Sequence, residues 1–280
     1  MRKVRARTVA LIVANTAGAV AFVWPFVAPG LARGELHESD APWFLLLVLA
    51  SLVVVLFVDL DRGMGPKTIA LLGVLGAAMV ALRLPGFVAG FSAMFIVVLL
   101  GGNAFGSAFG FLLGAVGTFA SGLFVGGLGP WLPFQMVAVG WMGAGAGAMP
   151  NHGRRRVVLL AAYGFVAGYA FGAVMNLWSW PFIARGTEIG WVPEEGMLVN
   201  LRHYAAYYAA TSFGWDTFRA VGNAALVLAL GHPVLRALDR AARRMRIEIG
   251  RAVPPPELGR AGRPVGERDD VAALGERVGR

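Results

Sequence analysis

A chain of 280 residues that is 57% hydrophobic and only 15% charged cannot be an ordinary soluble domain, because so much apolar surface outruns what a water-facing fold can bury. The lack of cysteine excludes disulfides, thiolate catalysis and sulfur-ligated metal. A formal net charge of +9 would suit nucleic acid, but the basic residues gather between apolar stretches at one membrane surface, so the partner it predicts is the lipid bilayer and not nucleic acid.

Eight apolar stretches, each close to the ~20 residues needed to cross a bilayer, fall at residues 8–27, 42–60, 67–84, 87–103, 105–124, 132–149, 157–178 and 201–231. The fourth is short. Arg2, Lys3, Arg5 and Arg7 precede the first stretch, and Trp24-Pro25-Phe26 is not a small-residue cleavage pattern, so that stretch is expected to be retained as a span. Threading the chain from a cytoplasmic N-terminus puts Arg154, Arg155, Arg156 and the run from Arg236 to Arg246 inside. The two acidic loops, with Glu35, Glu38 and Asp40 and with Glu188, Glu194 and Glu195, fall outside and hold only Arg33 and Arg185. The expectation is an all-α polytopic protein of the plasma membrane with about eight transmembrane helices and both termini cytoplasmic. Beyond about Gly250 the chain turns Pro-, Gly- and Arg-rich, which predicts a disordered tail.

Four spans carry stripes of small residues at helical spacing. The third has Ala70, Gly73, Ala77 and Ala81, the fifth Gly106, Gly110 and Gly114, the sixth Gly140, Ala144 and Ala148, and the seventh Gly164, Gly168 and Gly172. Such stripes serve close helix contact inside a bundle, and with four in one chain at least one could serve a partner. The eighth stretch carries the charged residues Asp216 and Arg219, three apart on one face. Counted from residue 201, they would lie about 22 to 27 Å below the outer end, at mid-membrane or deeper. Tyr204, Tyr208, Ser212 and Asn223 extend that polar face. The pair reads either as a mutually neutralised structural feature or as part of coupling and substrate passage.

The outer connections are aromatic. Gly126 to Gln135 joins spans five and six, and Asn176-Leu177-Trp178-Ser179-Trp180-Pro181-Phe182 opens a loop that continues through Trp191 to Asn200. An aromatic belt accounts for the rings. The amides of Gln135 and Asn176 add what a small-molecule site needs, so the candidate substrate contacts are Trp131, Phe134, Gln135, Asn176, Trp178, Trp180, Tyr204 and Tyr208. His37, His152, His203 and His232 are scattered and predict no metal site. No phosphate-cradling loop, Gly-x-Ser-x-Gly or His-Glu-x-x-His occurs, so no catalytic residue and no cofactor is expected, and ATP hydrolysis is not expected on this chain.

Several runs resemble the substrate-binding S components of energy-coupling factor (ECF) transporters, particularly the longer actinobacterial type. They are Ala77-x-x-x-Ala81, the run from Gly102 to Gly114, Gly127-Leu128-Gly129-Pro130-Trp131-Leu132-Pro133-Phe134-Gln135-Met136, Asn176-Leu177-Trp178, and Thr211 to Asp216 followed by Arg219-Ala220. The resemblance covers residues 67 to 231. It implies a six-helix core that binds a vitamin from outside, together with a membrane coupling subunit and two cytoplasmic ATPases. Cobalamin is the first candidate, and Arg2 stands where the nickel and cobalt branch has histidine. On this basis residues 1–66 form a basic segment with two extra helices, 67–231 the binding core, and 232–280 a basic, largely disordered tail. Ala70, Gly73, Ala77 and Ala81 would dock on the coupling subunit. Span one, with Ala10, Ala14 and Gly18, is the alternative docking helix. A self-sufficient secondary transporter or channel and an intramembrane enzyme are the competing classes. One clear charge pair is few for ion coupling, and no acid, base and nucleophile converge.

Overall fold

The computed structural model describes residues 65–84, 92–192 and 194–250, with isolated positions between 15 and 26. Its elements are α1 (Pro66–Arg83), α2 (Met94–Phe105), α3 (Ser107–Ser121) running into a π turn (Gly122–Gly126), α4 (Trp131–Ala148), α5 (Arg156–Ile183), α6 (Gly196–Thr211) and α7 (Phe213–Gly250), and no strand occurs among the described residues. Four helices are long and apolar enough to cross a membrane, at Pro66–Arg83, Ser107–Val125, Arg156–Ile183 and Phe213–Arg244, while Met94–Phe105 is apolar but shorter. The chain is an all-α polytopic membrane protein.

A single residue joins α2 to α3. Gly106 has φ 94°, a left-handed conformation that a Cβ disfavours, and its N–H still bonds the Gly102 carbonyl at 2.8 Å while its own carbonyl takes the Gly110 N–H at 2.9 Å. The hairpin so formed lies on α4 with backbones in contact. A Cβ on Gly110 would fall on the Gly143 carbonyl, one on Gly143 on the Gly110 carbonyl, one on Gly114 on the Val139 carbonyl, and one on Gly147 on the backbone of Gly106 and Ser107. Gly102 of α2 meets the same Gly143 carbonyl. In lipid, where apolar burial does not drive helices together, this approach supplies the van der Waals contact that holds the bundle. Around it pack Leu99, Leu100, Leu113, Val139, Leu160 and Val227, all buried.

A second seam joins α5 to α7. Gly168 approaches the Ala220 backbone, Gly164 faces Leu99 and Asn223, and Gly172 gives room for the Asp216 carboxylate. On α4, Gly140 receives the Phe111 ring. Three of the four small-residue stripes are therefore engaged inside the bundle. The fourth points outward: Ala70, Gly73, Ala77 and Ala81 are exposed, and α1 turns Leu72, Gly76, Met79 and Arg83 to the core instead. At span one, Gly18 lies against the Val137 side chain, where a Cβ would sit 2.7 Å from it, so that stripe is occupied at its last position.

One polar knot ties four helices at the arginine-rich end of the bundle. Asn103 of α2 donates to the carbonyls of Ala146 (3.1 Å), Met149 (3.4 Å) and Pro150 (3.3 Å) at the end of α4, and accepts from Arg156 Nε at 2.7 Å. Arg156 then makes a fork with the Asp239 carboxylate on α7, at 2.6 and 3.1 Å. Because both charged groups are partly buried and geometrically matched, the pair contributes more than an exposed one would.

Two expectations change. The stretch 201–231 is not one span: the chain breaks at Ser212, leaving α6 separate from α7. Gly196–Thr211 buries Asn200 and Tyr207 and leaves Met197, Leu198 and Leu201 exposed, and because apolar residues run on through both segments, hydropathy alone merged two helices. The segment expected as a largely disordered tail from residue 232 begins as helix, since α7 runs to Gly250. The second span, most of the first and residues 251–280 lie outside the described residues.

Substituting Ala at Gly110 or Gly143 should lower thermal stability in detergent by about 1 to 3 kcal/mol, because the added methyl must push two backbones apart. Gly73→Ala, with nothing within 4 Å of the new methyl, should leave stability unchanged or slightly raised. Equal losses at all three positions in thermal unfolding would remove the distinction between seam and free face.

Candidate functional site

The tryptophan-rich end of the bundle is built by α5 splitting its aromatic residues between two neighbours. Residues two apart on a helix point to opposite sides, so Trp178 and Trp180 diverge. Trp178 stacks on Phe134 of α4, with ring centroids 4.8 Å apart and planes 7° from parallel, and Phe22 meets the edge of the same pair at 5.2 Å. Trp180 turns to the loop and α6, where it is fully buried, donates its indole N–H to the Ile189 carbonyl at 2.8 Å, and packs on Trp191 (5.7 Å) and Tyr204 (5.3 Å).

The loop before α6 is a folded cap. Asn200 accepts from the Val192 N–H at 2.8 Å and donates to the carbonyls of Val192 (2.7 Å) and Gly196 (2.9 Å), so one buried amide closes the turn that starts α6. His203 meets the Gly190 carbonyl at 3.0 Å, and the Tyr204 hydroxyl donates to the Ala173 carbonyl on α5. Asn200 was not among the expected site residues. A lone Asn at the head of an apolar run carries no pattern that separates a loop clamp from a surface amide.

Asp216 is 2% exposed and accepts from Arg219 and, at 2.9 Å, from the Tyr208 hydroxyl. The Arg219 guanidinium lies 4.9 Å from the centre of the Phe171 ring. Nearby, the hydroxyls of Tyr169 and Thr217 pair at 2.8 Å. The expected depth rests on a count that the fold breaks: residue 201 lies on α6, which ends at Thr211, and Asp216 is in the first turn of a new helix, α7. Asp216 packs on Gly172, about 24 Å along α5 from Arg156, so the pair lies at the start of α7, on the side of the tryptophan-rich end.

Of the expected substrate contacts, the structure brings together Phe134 with Trp178, Trp180 with Tyr204, and Tyr208 with Asp216. Trp180 is committed to packing. Trp131 stands apart, 39% exposed, its ring lying against Gly129. Gln135 and Asn176 are half-buried, and among the described residues neither side-chain amide has a hydrogen-bond partner. Trp131 and Gln135 share a face of α4 one turn apart. The rings at this end fill the space between helices with one another. A cavity of about 430 Å³ opens at the opposite, arginine-rich end. No group of three His, Asp or Glu that could hold a metal occurs among the described residues.

The family described as ECF transporter, substrate-specific component, matches residues 67–231, the segment that begins at α1 and ends within α7. The chain belongs to this family of membrane-embedded transport subunits. No curated protein and no solved structure matches it.

Asn200→Ala should cost about 1 to 3 kcal/mol, since it strands the half-buried Val192 N–H and removes two further hydrogen bonds. Hydrogen exchange should quicken across residues 184–196 while α2 to α4 stay protected. Unchanged exchange in that loop would show that Asn200 does not hold the cap.

Proposed function

We propose that this chain captures a vitamin at the tryptophan-rich end, facing outside, and delivers it as the substrate-binding subunit of an ATP-driven ECF transporter, with a membrane coupling subunit and two cytoplasmic ATPases as partners. On this reading residues 67–231 are the binding core, both termini are cytoplasmic and the membrane is the plasma membrane. The observation that carries it is the outward stripe of Ala70, Gly73, Ala77 and Ala81 on α1, left bare when the other stripes are consumed inside the bundle. A smooth helical face of this kind lets another membrane helix approach to backbone distance. Span one is the weaker docking candidate, because its Gly18 is already packed on α4.

Substrate contact falls to the members of the aromatic end that have surface or polar atoms to offer, namely Trp131, Gln135, Asn176 and the Phe134–Trp178 stack. Trp180, Tyr204 and Tyr208 support them by holding α6 on α5. Cobalamin is the first substrate candidate, on the resemblance alone. A secondary transporter is disfavoured because Asp216 and Arg219 neutralise each other instead of presenting a free coupling charge.

Ala77→Leu and Ala81→Trp should abolish most ATP-dependent uptake in vesicles holding the whole transporter while leaving substrate affinity of the isolated subunit near wild type. Uptake that survives both substitutions, or accumulation driven by an ion gradient with this chain alone, would refute the docking and energy source respectively.

Trp131→Ala and Trp178→Ala should each weaken cobalamin binding by about 1 kcal/mol or more, roughly fivefold in Kd, if their rings stack on the ligand. Trp215→Ala, an exposed ring on α7, is the control for membrane anchoring. Titration of purified protein decides the matter, and variants that bind like the control exclude the tryptophan end as the site.

A further inference from the structure

The arginine-rich end holds a cavity that the transport reading does not use. The polar part of its α7 wall, beside Leu235 and Ala242, is one stripe, His232, Arg236, Asp239 and Arg243, at spacings of four, three and four that bring all four side chains to one face. The facing wall is the turn before α5, with His152 and Arg154, and the first residue of that helix, Arg156. Four arginines thus surround one carboxylate, and that carboxylate is spoken for: Asp239 is gripped by both terminal nitrogens of Arg156. Arg154, Arg236 and Arg243 are left exposed around about 430 Å³ of space, and among the described residues Asp239 is its one acidic lining residue. The start of a helix of 28 residues at the same place adds partial positive charge of its own.

Like charges held together at a membrane surface repel one another, and the arrangement makes physical sense when an anion occupies it. A carboxylate on a flat protein surface would meet these guanidinium groups only at the rim. The concave shape favours a compact anion with several acceptor oxygens, for which the planar guanidinium fork is the matching donor. We propose that this cavity binds a phosphate group, carried by an anionic phospholipid headgroup at the membrane surface or by a free phosphate. The Arg156–Asp239 fork keeps α5 and α7 at the right separation, and Arg154, Arg236 and Arg243 make the contacts, with His232 and His152 as further hydrogen-bonding groups. The site is at the opposite end from the proposed vitamin contacts, so loss of one leaves the other measurable.

Full-length protein in detergent is tested with two probes, phosphatidylglycerol against phosphatidylcholine by native mass spectrometry, and inorganic phosphate by thermal shift. Wild type should retain phosphatidylglycerol in preference to phosphatidylcholine, or be stabilised saturably by inorganic phosphate; the first result identifies a lipid headgroup and the second a free phosphate. The double variant Arg236→Gln with Arg243→Gln should weaken the effective probe by about tenfold or more. Should that variant unfold, Arg154→Gln, on the exposed turn, should still weaken binding at unchanged basal stability. Arg185→Gln with Arg202→Gln, exposed at the other end, should have no effect. Binding of neither probe, binding equal in wild type and Arg154→Gln, or an equal loss in the Arg185 and Arg202 control overturns the proposal, and in the first case the arginines face an acidic protein surface instead.

Discussion

Backbone contact between α3 and α4 is the constraint on which the rest depends. Gly110 and Gly143 each occupy the space in which the other's carbonyl lies, and Gly102, Gly114 and Gly147 extend that contact to α2 and along both helices. No larger residue fits at these positions without separating the helices. Everything else is arranged around this slab: α1 lays Leu72, Gly76 and Met79 on it, while α5 and α7 form their own glycine seam beside it. Lipid offers no hydrophobic reward for bringing helices together, so tight contact over length has to do so.

Polar residues close the two ends of this apolar slab in different ways. At the arginine end, Asn103 and Arg156 link four helices through carbonyls and one carboxylate. At the tryptophan end, Asn200 and the indole of Trp180 fasten the loop and α6 onto α5. The Asn103 and Asn200 amides and the Trp180 indole are paired, as the cost of stranding buried polar groups requires, whereas the buried Trp191 indole N–H has no partner among the described residues. The arginine end stays open around its knot, whereas the tryptophan end is filled by its own rings. Under the proposed function, substrate capture there would use the half-buried amides and the exposed Trp131; the two ends have different chemistry, with flat apolar surfaces and amides at one and concentrated positive charge at the other.

Asp216 and Arg219 tie the capping segment to the bundle. A pair in the first two turns of α7, hydrogen-bonded to Tyr208 and packed on Gly172 and Phe171, joins α5, α6 and α7 where the capping segment meets the bundle. Movement of α6 would be felt at this carboxylate directly, through Tyr208. That gives the pair a mechanical position next to the proposed substrate contacts.

Hydropathy, loop charge and the spacing of small residues determined that this is an all-α membrane protein, where its third, fifth and seventh spans lie, and which helices carry close-packing faces. These are properties of local sequence, because a span is set by about twenty consecutive residues and a stripe by its helical period. The family runs around Trp131 and Asp216 were legible for the same reason. Only the tertiary structure decided which stripe is spare, since Gly73 and Gly110 look alike until the neighbour of each is known. It also decided that the stretch 201–231 is two helices, that Trp180 is packing and Trp178 a stacked pair, and that Arg154, Arg236 and Arg243 surround one cavity. Those outcomes depend on which distant segment each side chain meets, and helical periodicity carries no information about the partner across the gap.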